Sequence, residues 1–303
     1  MTEHAALLLL ALLLDAVFGE PDWLWTRLPH PAVLMGRLVA GADKRLNKHR
    51  DLRFRGVLVM IALGLGALVF GAGLAALGPV VEVLLAAILL AQRSLVDHVR
   101  AVATGLSDSL AAGRAKVAMI VGRDTEPLDA AGVARAAIES GAENFSDGVL
   151  APAFWFLIGG LPGLLLYKIT NTADSMIGYR TPRYAEFGWA AARFDDLLNW
   201  VPARISALVI LVAAGRPGGW PVILRDAPLH RSPNAGWPEA AMAVSLDVAL
   251  SGPRSYEGAI RDFPFVHPDG TRTPGPAEIE AACTALWRSW GAMLALTALI
   301  AVL

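Results

Sequence analysis

From Gly56 to Val81 the chain carries no charged side chain. That run exceeds the roughly 20 apolar residues needed to cross a hydrocarbon core. A segment buried in lipid must satisfy its own backbone, so the rest of the chain has to be organised around helices. Composition agrees: 303 residues with mean hydropathy +0.50, 55% hydrophobic and only 17% charged residues are too apolar for an ordinary soluble domain. The expected fold class is an all-α polytopic membrane protein, a single integral-membrane domain over residues 1–303 with several transmembrane or re-entrant helices. Its cytoplasmic helical loops form the site.

Membrane segments are expected at about 5–19, 56–77, 79–91, 148–168, 198–215 and 289–303, with soluble regions at 20–55, 92–147, 169–197 and 216–288. Between Arg37 and Arg55 stand Arg37, Lys44, Arg45, Lys48, Arg50, Arg53 and Arg55 against Asp43 and Asp51, an excess that points to the cytoplasm. Gly78-Pro79 breaks the uncharged run, so 56–77 and 79–91 read as a helical hairpin returning at Gln92. Gly159-Gly-Leu-Pro-Gly163 interrupts 148–168 and predicts a broken or re-entrant pair of half-helices. If the polar loops share one side, 148–168 and 198–215 must each dip in and return. The Ser289–Leu303 tail should insert, and residues 5–19 read as a retained first helix rather than a cleaved leader.

The net charge of −1 gives no basic excess for a nucleic-acid partner, and Cys283 alone excludes an internal disulfide. It reads as a small apolar filler. In the region 92–147, Asp124 or Thr125 is placed to cap a helix that ends near Gly148. On that helix Arg135, Glu139, Glu143 and Asp147 recur every fourth residue and share a face. Carboxylates beside the Asn144 amide suit a hard divalent cation such as Mg2+. The same spacing also describes a solvated helix end with an Arg135–Glu139 surface pair. Acid groups where a helix enters a membrane are costly to desolvate, which favours the functional reading. Further polar groups crowd Lys168 to Arg204. No P-loop, H-E-x-x-H, paired-cysteine zinc pattern or G-x-S-x-G elbow occurs, which removes the common ATPase, metalloprotease and lipase readings.

Several stretches together resemble one family. Gly19-Glu-Pro-Asp22, Arg93-Ser94, Val121-Gly-Arg-Asp-Thr125, Ile138-Glu-Ser-Gly-Ala-Glu-Asn-Phe-Ser-Asp-Gly148 and Tyr167-Lys-Ile-Thr-Asn-Thr-Ala-Asp-Ser-Met-Ile-Gly-Tyr179 occur in order. Ala192-Arg-Phe-Asp-Asp-Leu-Leu-Asn199, Pro202-Ala-Arg204 and His230-Arg-Ser-Pro-Asn234 follow. The series is similar to the signatures of the CobD/CbiB cobalamin-biosynthesis family, adenosylcobinamide-phosphate synthase, and covers most of the chain. Two places depart from that pattern: Gly141, where a bulkier apolar residue is usual, and Asp247 with Ser251, in a region usually smaller and Gly-rich.

The resemblance implies an inner-membrane ligase, dependent on ATP and Mg2+, with its active site facing the cytoplasm. It would join aminopropanol or its O-phosphate to the free propionate of adenosylcobyric acid. Forming that amide requires an activated carboxylate, cations on the transferring phosphate and a metal held by oxygens. Glu139, Glu143, Asn144 and Asp147 are the metal candidates, and Asp195 and Asp196, with Asp174 beside them, are candidates for a second ion. Arg93, Arg123, Lys168, Arg193 and Arg204 are candidates for phosphate or propionate contacts. Asp174-Ser175 is a candidate for the ribose or a substrate amide, equally read as an Asx turn or helix cap, and Asn234 joins the cofactor-binding set. The catalytic set is Glu139, Glu143, Lys168 and His230, with His230 taking a proton from the incoming ammonium or serving as a hydrogen-bonded structural residue. Two other readings remain at this stage: a small-molecule transporter, since broken helices also mark substrate pathways, and a non-enzymatic membrane sensor of related architecture. The sequence leaves a homo-oligomer open.

Overall fold

The computed structural model describes residues 1–48, 50–256 and 259–303. The chain is helical almost throughout and packs as two compact units. One comprises Met1–Ala91, Ala151–Trp200 and Leu296–Leu303; the other comprises Gln92–Leu150 and Val201–Ala295. Among the described residues, four helical stretches are long and apolar enough to cross a membrane, or five if a broken pair at 189–213 counts as one. The protein is therefore a multi-pass membrane protein.

In the first unit the helices are α1 (Thr2–Phe18), α2 (Asp22–Trp25), α3 (Pro31–Leu46), α4 (Leu52–Ala75) and α5 (Pro79–Leu89). Pro31 and Pro79 each open a helix, where the missing N–H costs nothing. The His30 ring fixes the start of α3: Nδ1 accepts from the Ala32 N–H at 3.1 Å, and Nε2 donates to the Ile88 carbonyl at 3.2 Å. Helix α4 carries Gly56, Gly64 and Gly71 on one stripe, about two turns apart. A Cβ at Gly71 would lie 2.6 Å from Pro162 Cα, one at Gly64 3.2 Å from Leu166 Cδ1, and one at Gly56 would collide with the Phe187 carbonyl oxygen. Small residues thus let α4 lie close against α9 (Ala151–Ile177) and, at Gly56, against the Phe187 backbone. The opposite face, with Leu58, Ile61, Leu65 and Val69, is exposed, as a lipid-facing surface should be.

Helix α9 is not one rod. Gly160 sits at φ 59°, ψ −153°, outside the helical region, two residues before Pro162. Ala151 and Tyr167 nevertheless pack in one cluster with Leu198, with Trp155 and Phe194 against them. Sixteen residues along a straight helix would separate them by roughly 24 Å, so the chain reverses at Gly160. A side chain at Gly163 would collide with the Trp155 carbonyl oxygen, which gives the second half-helix its close approach to the first. The interruption at 159–163 therefore makes a helical hairpin. At its tip the His4 ring lies 3.2 Å from the Leu157 carbonyl and satisfies a group that the break leaves without a helical partner. Helix α10 (Trp189–Leu198) packs on α9 and completes the unit.

The second unit begins with α6 (Gln92–Asp108), whose buried Val96, Val99, Val102, Ala103 and Leu106 follow the helical period. Helices α7 (Leu110–Val117) and α8 (Ala130–Phe145) pack against it. The start of α8 differs from expectation. Its cap is Asp129, whose Oδ1 accepts from the Gly132 N–H at 2.7 Å, so Asp124, Thr125 and Pro127 lie in the preceding loop. Its end differs too. Gly148 does not terminate the helix, because Ser146–Leu150 forms a π-helical turn that leads on into α9. Helices α11 (Trp200–Ala213), α12 (Trp220–Asp226) and α13 (Gly236–Leu246) follow, then two antiparallel strand pairs. These are β1 (Leu250–Ser251) with β4 (Phe265–Val266), and β2 (Arg254–Tyr256) with β3 (Ala259–Arg261).

Helix α14 (Pro276–Val302) starts well before the expected insertion at Ser289. Cys283 on it is fully buried, as a small apolar filler would be. Gly141 is explained by packing: a Cβ there would stand 3.3 Å from Val99 Cγ2 and 3.5 Å from Leu286 Cδ1.

Candidate functional site

The acid face of α8 is less uniform than its four-residue spacing implies. Glu139 is buried, Glu143 and Asn144 are exposed, and Asp147 is half-buried on the π turn. A π turn takes more residues per revolution than an α-helix, so Asp147 leaves the register of the other acids. Arg135 does not pair with Glu139; its Nη1 donates to the Arg272 carbonyl at 2.9 Å. The surface pair that the spacing also allowed is absent.

Glu139 is instead the centre of a buried junction. Its Oε2 accepts from Arg123 Nη2 at 2.6 Å, with the two side chains 5% and 8% exposed. Its Oε1 accepts from the Ser251 backbone N–H at 2.7 Å. Arg123 Nε is buried without a hydrogen-bond partner among the described residues, so this guanidinium is held by one edge and retains a donor at another. Nearby, Ser140 Oγ donates to the Ile120 carbonyl at 2.7 Å, and Asn144 Nδ2 donates to the Ser140 carbonyl at 2.9 Å. Among the described residues no three His, Cys, Asp or Glu side chains are arranged to hold a metal by themselves. The acids on α8 therefore do not form a protein-only cage.

A second cluster of the same unit joins α11 to the loop before α13. Arg204 Nη1 donates to Asn234 Oδ1 at 3.0 Å and Nη2 to the Pro233 carbonyl at 3.4 Å, while the guanidinium lies 4.5 Å from the centre of the Trp237 ring. Two hydrogen bonds and an aromatic face fix its plane. His230 is largely buried: Nδ1 accepts from the Ser232 N–H at 3.0 Å, and Nε2 faces Glu239 Oε1 at 3.6 Å. The acceptor role of Nδ1 puts the ring proton on Nε2, towards Glu239. In this geometry the imidazole has no outward lone pair. Arg93 is exposed and pairs with Asp97 one turn on, at 3.0 Å.

The remaining candidates belong to the first unit. Asp195 is buried on α10; its Oδ1 accepts from Asn171 Nδ2 at 3.3 Å and its Oδ2 from Asn199 Nδ2 at 3.0 Å. Asn199 Oδ1 in turn accepts from the Tyr167 hydroxyl at 3.0 Å. The chain Tyr167–Asn199–Asp195–Asn171 ties the returning half of α9 to α10. Asp196 is half-buried and pairs with exposed Arg193 at 3.4 Å. Lys168 and Asp174 are half-buried on α9, and Ser175 is exposed. Tyr167, Asn171, Asn199, Trp237, Glu239 and Ser251 are not among the candidate site residues. Asn199 was open to detection, being one turn beyond Asp195. Ser251 contributes only its backbone, which no side-chain pattern reveals.

A third junction was not anticipated. Asp226, buried at the end of α12, accepts from Arg225 Nε at 2.6 Å, Arg225 Nη2 at 3.0 Å and the His267 N–H at 2.8 Å. Burial alone would raise its pKa, but the Arg225 and His267 hydrogen bonds and charges outweigh that and hold it below the usual carboxylate value. His267 Nε2 also meets Asp247 Oδ1 at 2.8 Å.

Residues 8–286 match the family model described as CobD/Cbib protein. The chain is 51% identical to the cobalamin biosynthesis protein CobD of Rhizobium meliloti (strain 1021), over 96% of this chain and 95% of the relative. It is 50% identical to the protein of the same name from Sinorhizobium sp, over 94% and 97%. Identity to that of Rhodobacter capsulatus is 46%, over 99% and 98%. No solved structure matches the chain.

Proposed function

The chain belongs to the CobD/CbiB family of cobalamin-biosynthesis proteins, and from that premise we propose that it is the ATP-dependent amide ligase of the pathway. The reaction joins (R)-1-aminopropan-2-ol or its O-phosphate to the free propionate of adenosylcobyric acid, giving adenosylcobinamide or its phosphate. One observation carries the reading to the residues. Signatures far apart in the chain are tied in pairs by polar side chains: Arg123 to Glu139, Arg204 to Asn234, and Tyr167 and Asn171 to Asn199 and Asp195. A structural role alone would be met more cheaply by apolar packing, because buried ion pairs gain little net stability over hydrophobic groups.

ATP supplies the phosphoryl or adenylyl group that turns the propionate into an acylating agent, and Mg2+ supplies charge to the phosphates it arrives with. A nucleotide-borne Mg2+ needs only one or two protein carboxylates. Glu143 and Asp147, with the Asn144 amide, fit that need, and Asp195 and Asp196 are the alternative set. Glu139 has both oxygens engaged and serves by holding Arg123. The Arg123 donor and the plane of Arg204 suit carboxylate or phosphate oxygens, with Lys168, Arg93 and Arg193 as further cations. The proton released as the amine becomes an amide is assigned to the His230–Glu239 pair, which can take it up on the Glu239 carboxylate while His230 Nδ1 stays occupied by the Ser232 N–H. Asp174 and Ser175 are assigned to the ribose or a substrate amide.

The basic stretch 37–55 supports placing the site on the cytoplasmic face of the inner membrane. The test is incubation of purified protein with adenosylcobyric acid, Mg-ATP and each amine, with mass detection of product and of ADP against AMP. Corrinoid-dependent nucleotide turnover with amide product is the expected result. Absence of product with both amines overturns the proposal, and uptake into proteoliposomes without nucleotide turnover establishes a transporter instead.

A further inference from the structure

At the start of α4 lies a shallow groove of about 780 Å3, largely open to its surroundings, that none of the candidate site residues lines. Its volume is in the range of small-molecule sites, and its lining is chemically mixed. Arg50 and Arg53 supply guanidinium groups, Asp51 and Glu186 carboxylates, and Leu52, Phe54 and Val57 an apolar wall. The Arg53 guanidinium is held 3.9 Å from the centre of the Trp189 ring, which fixes where its charge sits. The groove stands immediately before the uncharged run that begins at Gly56, the level at which lipid phosphates lie. Phe54 is 64% exposed, and its surface continues into the exposed Leu58 and Ile61 along α4.

We propose that this groove binds phosphatidylethanolamine. Two cations beside two carboxylates match a headgroup that has both a phosphate and a primary ammonium. The phosphate is placed on Arg50 and Arg53, the ammonium on Glu186 and Asp51, and an acyl chain along Phe54 and Val57. A headgroup without an ammonium would bring its phosphate next to Asp51 and Glu186 with nothing to offset them. A choline has no N–H to donate to those carboxylates. A soluble amino-alcohol phosphate has the same polar chemistry, but it leaves the apolar wall uncovered.

Delipidated full-length protein in detergent, titrated with dioleoyl phosphatidylethanolamine, phosphatidylcholine, phosphatidylglycerol and O-phosphoethanolamine and read by native mass spectrometry, tests this. Phosphatidylethanolamine should bind about 10-fold more tightly than the other two lipids, the worth of one charge-assisted hydrogen bond. O-phosphoethanolamine at millimolar concentration should not displace it. Glu186→Gln should remove the preference over phosphatidylcholine, and Arg50→Gln with Arg53→Gln should weaken all three lipids. Equal binding of the three lipids by the wild-type protein overturns the proposal, whatever the variants do. So does competition by O-phosphoethanolamine, which would mark a site for a soluble ligand, or a preference untouched by Glu186→Gln in a variant whose melting temperature is unchanged.

Discussion

If Glu139 holds Arg123 rather than a metal, the two residues must be strongly coupled in stability. Glu139→Ala leaves a guanidinium buried without its anion and the Ser251 N–H without an acceptor; Arg123→Ala leaves a buried carboxylate. With charge centres roughly 4 Å apart and an effective dielectric near 20, the attraction is about 4 kcal/mol. Breaking a buried pair from one side costs about 3–5 kcal/mol. Each kilocalorie shifts Tm by about 2–4 °C in a unit of this size, so either single variant should melt roughly 6–20 °C lower. The double variant leaves neither charge stranded and should recover a coupling of about 2–3 kcal/mol relative to the sum of the singles. Glu139→Gln keeps the volume but presents a donor where an acceptor is needed, for a cost of about 1–3 kcal/mol. Thermal unfolding of all four variants in one detergent, followed by tryptophan fluorescence, gives the cycle. Single costs below about 1 kcal/mol, or strict additivity, would refute the reasoning, since a partnerless buried charge cannot be cheap.

The exposed acid of the same helix should behave in the opposite way: Glu143→Gln is expected to abolish ligase turnover with Tm within about 2 °C of wild type, as an exposed substitution allows. Near-normal rates would remove it from the metal-binding set. Gly71→Ala drives a methyl group against Pro162 Cα and should cost about 1–3 kcal/mol, whereas Gly73→Ala, which has nothing within 4 Å, should be silent or slightly stabilising. Paired melting curves decide it. Asp226 predicts a pH dependence. Because its folded pKa is depressed, its contribution is present above the unfolded value of about 3.9 and is lost as pH falls through the lower folded value. The Tm gap between wild type and Asp226→Asn should therefore be widest near pH 6 and shrink towards pH 3; a constant gap would show that the pairing is not electrostatic.

Much of the membrane architecture was legible because lipid leaves few options. The uncharged run from Gly56 could only be a helix, and Gly159-Gly-Leu-Pro-Gly163 strains a continuous one enough to favour a break. The return at Gly160 follows from those residues and is seen in the contact of Ala151 with Tyr167. The boundaries of α8 were not legible in the same way. Asp124, Thr125 and Asp129 all have capping side chains, and the choice among them depends on where α8 packs against α6. The end was missed for a related reason. Gly148 weakens a helix locally, but a π turn keeps its backbone bonded, so burial of Val149 and Leu150 prevails over propensity. The roles within the acid ladder were equally hidden, because spacing places side chains on a face and does not say which of them has a partner across it.

The second place where the chain departs from the family's pattern illustrates how such hidden contacts are organised. Asp247 and Ser251 have φ of 56° and 63°, and His267 opposite them 52°, in the left-handed region where glycine is favoured. A Gly-rich segment is therefore what this backbone asks for, and each side chain accepted here costs about 1 kcal/mol or more. The strain is offset by bonds that only this geometry permits. Asp247 accepts from the His267 ring, the His267 N–H reaches Asp226, and the Ser251 N–H reaches Glu139. The twisted segment is thus anchored at one end by Asp226 and at the other by the acid that holds Arg123. Replacing Ser251 by glycine relieves the strain and leaves the N–H to Glu139 in place, so it should stabilise the protein without loss of turnover. Proline at Ser251 removes that N–H and, with φ locked near −65°, cannot follow the backbone here, so it should destabilise the protein more than Glu139→Gln does.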